Sequence, residues 1–287
     1  MKRFILFNLI AFTSFSGNAQ QAAKVTNPSK PFYMRVGLGY GLAMSGNVGN
    51  GNGTIVTVAN DETFKVQPYS YGAGLSGTLA VGYNVNKNLG VEMIATSTVA
   101  GKKYEYTSIY EFTSGGTTYA EKAVVTTYGN TLLLQPAIVV QSGGAKTNVY
   151  ARMGVIVPIM NSLASDVDYS ENMNNNVEKT TEEYSMYFSL GASGAVGASF
   201  NLSYNLRLYT ELCLVSYSPY LAKGSRTSYT RNGVEYLSYL SLKDREIEFK
   251  KSGTITSSQD PDKPTVAQTQ AIPFSNMGIN AGIVIQL

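Results

Sequence analysis

The chain contains no histidine and no tryptophan, and only one cysteine among its 287 residues. Without histidine, the side chain that most readily moves protons near neutral pH is missing. The nucleophile–histidine and water–histidine arrangements of most hydrolytic and acyl-transfer sites are therefore excluded, and no enzymatic activity is expected. The lone thiol, Cys213, permits no internal disulfide, and no cysteine follows the N-terminal segment to carry a lipid anchor. Charge is scarce too: Asp, Glu, Lys and Arg make up 14% of the chain against 44% hydrophobic residues, where about a quarter is usual for a soluble domain. The net charge of +3 is small for this length and the basic residues are scattered, which argues against nucleic acid as a partner. Past residue 15 no run approaches the roughly 20 apolar residues of a membrane helix, so any membrane span must consist of strands.

Met1-Lys2-Arg3, the apolar run Phe4 to Phe15 and the small residues Ser16, Gly17 and Ala19 read as a secretory signal peptide over residues 1–19. Residues 20–30 form a polar leader, and residues 31–287 read as one domain.

Within that domain the dominant pattern has a period of two. From Tyr69 to Val85, Tyr69, Tyr71, Ala73, Leu75, Leu79, Val81, Tyr83 and Val85 share one face, and Gly, Ser, Thr, Ala and Asn occupy the other. After Asn86-Lys87-Asn88 the alternation resumes through Leu89, Val91, Met93 and Ala95, which makes a hairpin. The face opposite the apolar one carries a single charge, Glu92. A soluble protein cannot present such a face to water. The inverse arrangement fits, with the apolar face toward lipid and the small polar face lining a narrow interior.

The same pattern recurs at Phe32 to Ala43, Thr131 to Gln141, Asn148 to Ile159, Met186 to Phe200, Leu206 to Leu214 and Met277 to Leu287, giving eight strands. Long polar segments alternate with short turns. The long ones include Gly46 to Gly53, a hairpin of Tyr104 to Phe112 with Tyr119 to Thr127, a loop from Asn161 to Tyr184, and a loop from Ser218 to Pro273 with a turn at Arg231-Asn232-Gly233. Strands of about ten residues, tilted near 40°, cover the roughly 25 Å apolar band of an outer membrane. Phe32, Tyr40, Tyr71, Tyr83, Phe200, Tyr204, Tyr217 and Phe274 lie near strand ends, as aromatic girdles require. The expected fold is all-β: a closed antiparallel eight-stranded transmembrane β-barrel with long extracellular loops.

In strand pattern, loop rhythm and the apolar alternation from Met277 to Ile285, the region from Phe32 to Leu287 resembles the eight-stranded outer-membrane β-barrel family of Gram-negative bacteria, the OmpA-like transmembrane domains. With the signal peptide read at residues 1–19, residues 20–30 are expected to be a periplasmic leader, and the resemblance implies residues 31–287 as an outer-membrane β-barrel domain. It implies outer-membrane lipid as surroundings and the outer-membrane assembly machinery as a partner that reads the terminal strand, where Leu287 replaces the usual aromatic residue.

Eight strands leave an interior just wide enough for side chains to fill. The inward ionisable residues are Arg35, Glu92, Arg152, Arg207 and Glu211, accompanied by the polar Gln135, Tyr150, Tyr209 and Asn280. Opposite charges in these positions are expected to neutralise each other as a lumen plug. A Glu92–Glu211 acid–base pair is disfavoured because three arginines hold carboxylates ionised, and a gated ion path is the remaining alternative. Asp166-Val167-Asp168-Tyr169-Ser170 opens like a calcium loop but has Glu171 where glycine is needed and Val177 where the bidentate glutamate belongs, so no metal is expected. Gly37, Gly39 and Gly41 share one strand face and read as small lumen residues rather than a nucleotide loop, and Cys213 as a lumen filler. No cofactor is expected. Tyrosines such as Tyr104, Tyr106, Tyr110 and Tyr236 make the long loops adaptable surfaces for an extracellular ligand. The expected role is structural or surface interaction, with a narrow channel or a lateral path for small or hydrophobic molecules, as in OmpW-like barrels, as the alternative.

Overall fold

A computed structural model of the chain describes residues 31–44, 53–58, 61–66, 69–101, 103–114, 116–144, 146–253, 255 and 260–287. Residues 1–30, where a signal peptide and a leader are expected, and the expected loop from Gly46 as far as residue 52 lie outside the described residues.

The strands, numbered in chain order, begin with β1 Phe32–Ala43, β2 Gly53–Val58, β3 Asp61–Val66, β4 Gly74–Asn84, β5 Leu89–Gly101 and β6 Tyr104–Ser114. Two strands of 25 residues follow, β7 Thr117–Gln141 and β8 Thr147–Glu171. The remainder are β9 Asn176–Met186, β10 Gly191–Asn201, β11 Leu206–Ser216, β12 Leu221–Arg231, β13 Val234–Glu235, β14 Glu246–Lys250, β15 Thr265–Gln268 and β16 Asn276–Gln286. A single-turn helix, α1, spans Leu242–Arg245.

Eight of these strands close a ring. β1 pairs with β4, then β5, β7, β8, β10, β11 and β16 follow, and β16 pairs back to β1, every pairing antiparallel. A closed eight-strand ring leaves no edge in the barrel. The alternation sets the faces: along β1, Tyr33, Arg35, Gly37, Gly39 and Gly41 are buried, while Phe32, Val36, Leu38, Tyr40 and Leu42 are exposed. Small residues inside have a packing purpose. A Cβ at Gly37 would collide with Tyr209 Oη, so glycine there makes room for the tyrosine ring across the lumen. Local chemistry shapes the short turns: Asn86 Oδ1 accepts the N–H groups of Asn88 (2.8 Å) and Leu89 (2.9 Å), bending β4 into β5.

At the other end the structure corrects the sequence reading of the long segments. The region read as a loop from Asn161 to Tyr184 is largely strand. β7 and β8 run on together beyond the ring, paired as far as Glu121 and Glu171, and β9 returns alongside β8. This extended sheet continues on one side through β6 and β2 to β3, and on the other through β12 and β14 to β15. Met186 therefore belongs to β9, and the sixth barrel strand starts at Gly191 rather than Met186. The expected hairpin of β6 with β7 is present. So is the turn at Asn232-Gly233, both at positive φ, joining β12 to β13.

The second barrel strand starts at Gly74, not Tyr69. Gly74 has φ of 116°, a conformation that turns residues 69–73 inward over the barrel mouth. Tyr71, Tyr217 and Phe274, expected in an outer girdle, are buried instead. They join Tyr104, Leu133, Ile156, Leu163 and Phe249 in an apolar cluster that caps the mouth, with Tyr71 and Tyr104 meeting edge to face at 5.6 Å. Phe32, Tyr40, Tyr83, Phe200 and Tyr204 do stand exposed on the outer surface, with the Phe32 and Tyr83 rings 5.0 Å apart.

Candidate functional site

The lumen brings four of the sequence-selected charges into one ring. Arg35, fourth residue of β1, and Glu92, fourth of β5, start near the short-turn end; Arg152 and Glu211 come from the sixth positions of β8 and β11. Each arginine bridges both glutamates. Arg35 Nη1 lies 3.1 Å from Glu92 Oε1 and its Nη2 2.7 Å from Glu211 Oε2. Arg152 Nη1 lies 3.2 Å from Glu92 Oε2 and its Nη2 2.5 Å from Glu211 Oε1. All four side chains are at least nine-tenths buried. Two positive and two negative groups cancel, which is the arrangement that makes burial of charge tolerable.

Neighbouring polar groups fill the remaining lone pairs. Glu211 also accepts Tyr150 Oη (2.8 Å) and Asn280 Nδ2 (3.1 Å), so its carboxylate takes four donors in all. Tyr209 places its ring under the Arg35 guanidinium, 4.1 Å from carbon to centroid. Gln135 sits higher and donates to Thr96 Oγ1 at 3.1 Å. Arg207 stands apart. It is four residues, roughly 13 Å, further along β11 toward the short turn than Glu211, and it forms no ion pair among the described residues. Tyr33, which is not among the residues selected from the sequence, donates to Glu92 Oε1 at 2.8 Å. Its signal was parity, since it lies two residues before Arg35 on the same strand face.

The ring divides the lumen. Toward the long-loop end lies a cavity of about 40 Å³ lined by Thr96, Gln135, Ser193, Cys213 and Asn280, bounded by Arg152 and by Phe274 of the cap. Toward the short turns lies another of about 30 Å³, lined by Asn84, Gln141, Asn148 and Arg207 and bounded by Arg35 and Glu92. Spaces of this size accommodate roughly one to three water molecules and no organic substrate.

The calcium-like stretch is strand. Asp166 Oδ1 accepts from Thr181 Oγ1 at 3.0 Å and Asp168 pairs with Lys179 at 3.3 Å, both across the β8–β9 ladder. No group of three or more His, Cys, Asp and Glu side chains suited to a metal ion occurs among the described residues.

On the outside, the ladder between β7 and β8 skips two residues. Leu134 pairs with Val157 and Ala137 with Gly154, but Gln135 and Pro136 have no partner on β8. Pro136 lacks the N–H that would complete the ladder. An open apolar groove lies over this point, lined by Phe32, Val81, Tyr83, Met93, Ile138 and Met153.

No protein-family model matches the sequence, and no curated protein sequence does. Among solved structures, the chain is similar to the outer membrane protein OprG from Pseudomonas aeruginosa, at 12% identity over 90% of this chain and 96% of that one, with a TM-score of 0.36. It is also similar to the E. coli outer membrane protein W, at 13% identity over 90% and 98% of the two chains, with a TM-score of 0.33. At that degree of likeness, it is the chain's own strand pairing that establishes an all-β, closed, antiparallel eight-stranded barrel.

Proposed function

We propose that the protein is an integral outer-membrane barrel that holds an extended β-sheet at the cell surface, in a structural or interaction role without catalysis. The observation that carries this reading is the outer surface of the barrel. Leu38, Leu79, Met153, Val196, Leu212 and Ile279 are all exposed, and no outward position is charged in the ring portions of the eight strands, which for β7 and β8 are residues 132–141 and 147–156. Lipid is the solvent that accepts such a belt. The paired charges of the lumen support a plug rather than a reactive site, because each carboxylate is held by two guanidinium groups. The reading includes a signal peptide over residues 1–19, insertion by the outer-membrane assembly machinery, and the long segments outermost. Fractionation followed by gel mobility in detergent, with and without boiling, tests it. A heat-dependent shift of protein from the outer-membrane fraction is expected, whereas unshifted protein in the soluble periplasm overturns the reading. In planar bilayers a plugged lumen gives no conductance steps.

A second reading, a lateral path for small hydrophobic molecules, is favoured by the skipped pairs at Pro136 and the apolar groove above them. It predicts that the protein in liposomes speeds entry of a small hydrophobic dye and that Pro136→Val, which restores the missing donor, removes the effect. Equal entry with either form excludes it.

A further inference from the structure

Outside the barrel, cationic side chains gather around a basin of about 210 Å³ between β9, β12, β14 and α1. It lies on the sheet face that bears the apolar cap, since Tyr184 and Ile247 line the basin and also pack against that cluster. Its floor is Gly224, in register with Tyr184 on one side and Ile247 on the other. A Cβ there would come within 2.9 Å of the Tyr184 ring, so the absence of a side chain keeps the depression open. α1 forms its wall: the Lys243 N–H donates to the Pro261 carbonyl (3.1 Å), and the Lys243 carbonyl accepts from Thr265 Oγ1 (2.8 Å).

The charges in the basin are unevenly matched. Arg226, Lys243 and Arg245 face two carboxylates, Glu182 and Asp244. Glu182 is already committed, accepting from Arg226 Nη2 at 3.1 Å and from the Tyr184 hydroxyl at 2.5 Å. Asp244 accepts from Ser241 Oγ at 2.6 Å, within the turn of its own helix. Lys243 and Arg245 form no ion pair among the described residues. The Nε–H groups of Arg226 and Arg245 are both buried with no acceptor among the described residues. Buried guanidinium donors are almost always bonded, and a planar fork beside an ammonium group matches a tetrahedral oxyanion.

We propose that this basin binds a phosphate group. The space is smaller than the roughly 300 Å³ from which drug-sized pockets begin, so it admits phosphate itself, or the phosphate of a lipid headgroup, and little beyond it. Arg245 and Lys243 supply the charge, and the Nε–H of Arg226 supplies a further donor from the opposite wall.

Titration calorimetry of the full chain in maltoside micelles with inorganic phosphate, and of the chain in nanodiscs with and without phosphatidic acid, tests the site and separates the two sources. Saturable binding of inorganic phosphate assigns a free ligand; saturation only by phosphatidic acid assigns a headgroup. In either case Arg245→Gln and Lys243→Gln each weaken binding at least tenfold, while Lys122→Gln, exposed on β7, leaves it unchanged. Absence of binding in both arms overturns the proposal, and so does wild-type affinity in the Arg245→Gln/Lys243→Gln double variant. The heat-dependent gel shift of each variant verifies an intact barrel. Because the basin lies outside the ring, its failure leaves the membrane reading untouched.

Discussion

Arg152 sits where two carboxylates meet, and its removal has a definite sign. Arg152→Met leaves Glu92 and Glu211 sharing only Arg35 in a site shut off from water. Breaking a buried pair this way costs about 3–5 kcal/mol, so urea unfolding from lipid vesicles is expected to shift by that amount. Adding Glu211→Leu restores the charge balance and is expected to recover part of the loss. Outside the barrel, Tyr184 offers a test in pH. Burial, then the neighbouring Glu182 carboxylate, raises its phenol above the ordinary value of 10.0. The folded state therefore holds the proton more tightly than the unfolded chain. That contribution is intact below about pH 10 and is lost as the pH rises from the unfolded value toward the higher folded one. Near-UV circular dichroism across alkaline pH is expected to show a shallower stability loss in Tyr184→Phe than in the wild type.

The elements differ in how openly the sequence announces them. Ring strands such as β1 and β16 are half apolar and half small, and a period of two was enough to place them and their faces. β9 was not legible in the same way. Its sequence, NVEKTTEEYSM, has strand-forming Val, Thr and Tyr but no apolar face, because beyond the ring both faces of much of the sheet meet water or polar neighbours. Hydrophobic periodicity has nothing to detect in such a strand. The cap was hidden for another reason. Tyr71, Tyr217 and Phe274 look like girdle residues by position, and only the turn at Gly74 and the folding-in of 217–221 and 271–274 send them into the core. Phe274 carries the cap over the lumen. Phe274→Ala is expected to cost about 3–5 kcal/mol, and to raise hydrogen exchange in residues 69–73, where the Tyr71 N–H bonds to the Pro273 carbonyl at 2.9 Å. Unchanged exchange there would mean the cap does not depend on this ring.

At the scale of the molecule, closure is the controlling event. β16 supplies partners to both β1 and β11, so a chain ending at Ser275 leaves two long unpaired edges in the wall. Such a chain is expected to show no compact band on unboiled gels and to aggregate. A compact band would mean that the remaining seven strands close on their own.

Strand alternation, the uncharged outward face and the rhythm of short and long connections belong to neighbouring residues, and the sequence by itself determined them. It also determined which side chains point inward, Arg35, Glu92, Arg152, Arg207 and Glu211 among them. Which of these meet was decided only by the tertiary structure. The contacts of the ring join residues 57 to 176 positions apart, and the stagger with which eight strands close sets the height of each residue in the lumen. That stagger brings Glu211 level with Arg35 and Arg152 and leaves Arg207 below them, although all five alternate in phase with their strands. The basin beside α1 has the same origin: Arg226, Lys243 and Arg245 come together because β12 and β14 pair through Gly224 and Ile247, a register that neither segment specifies alone.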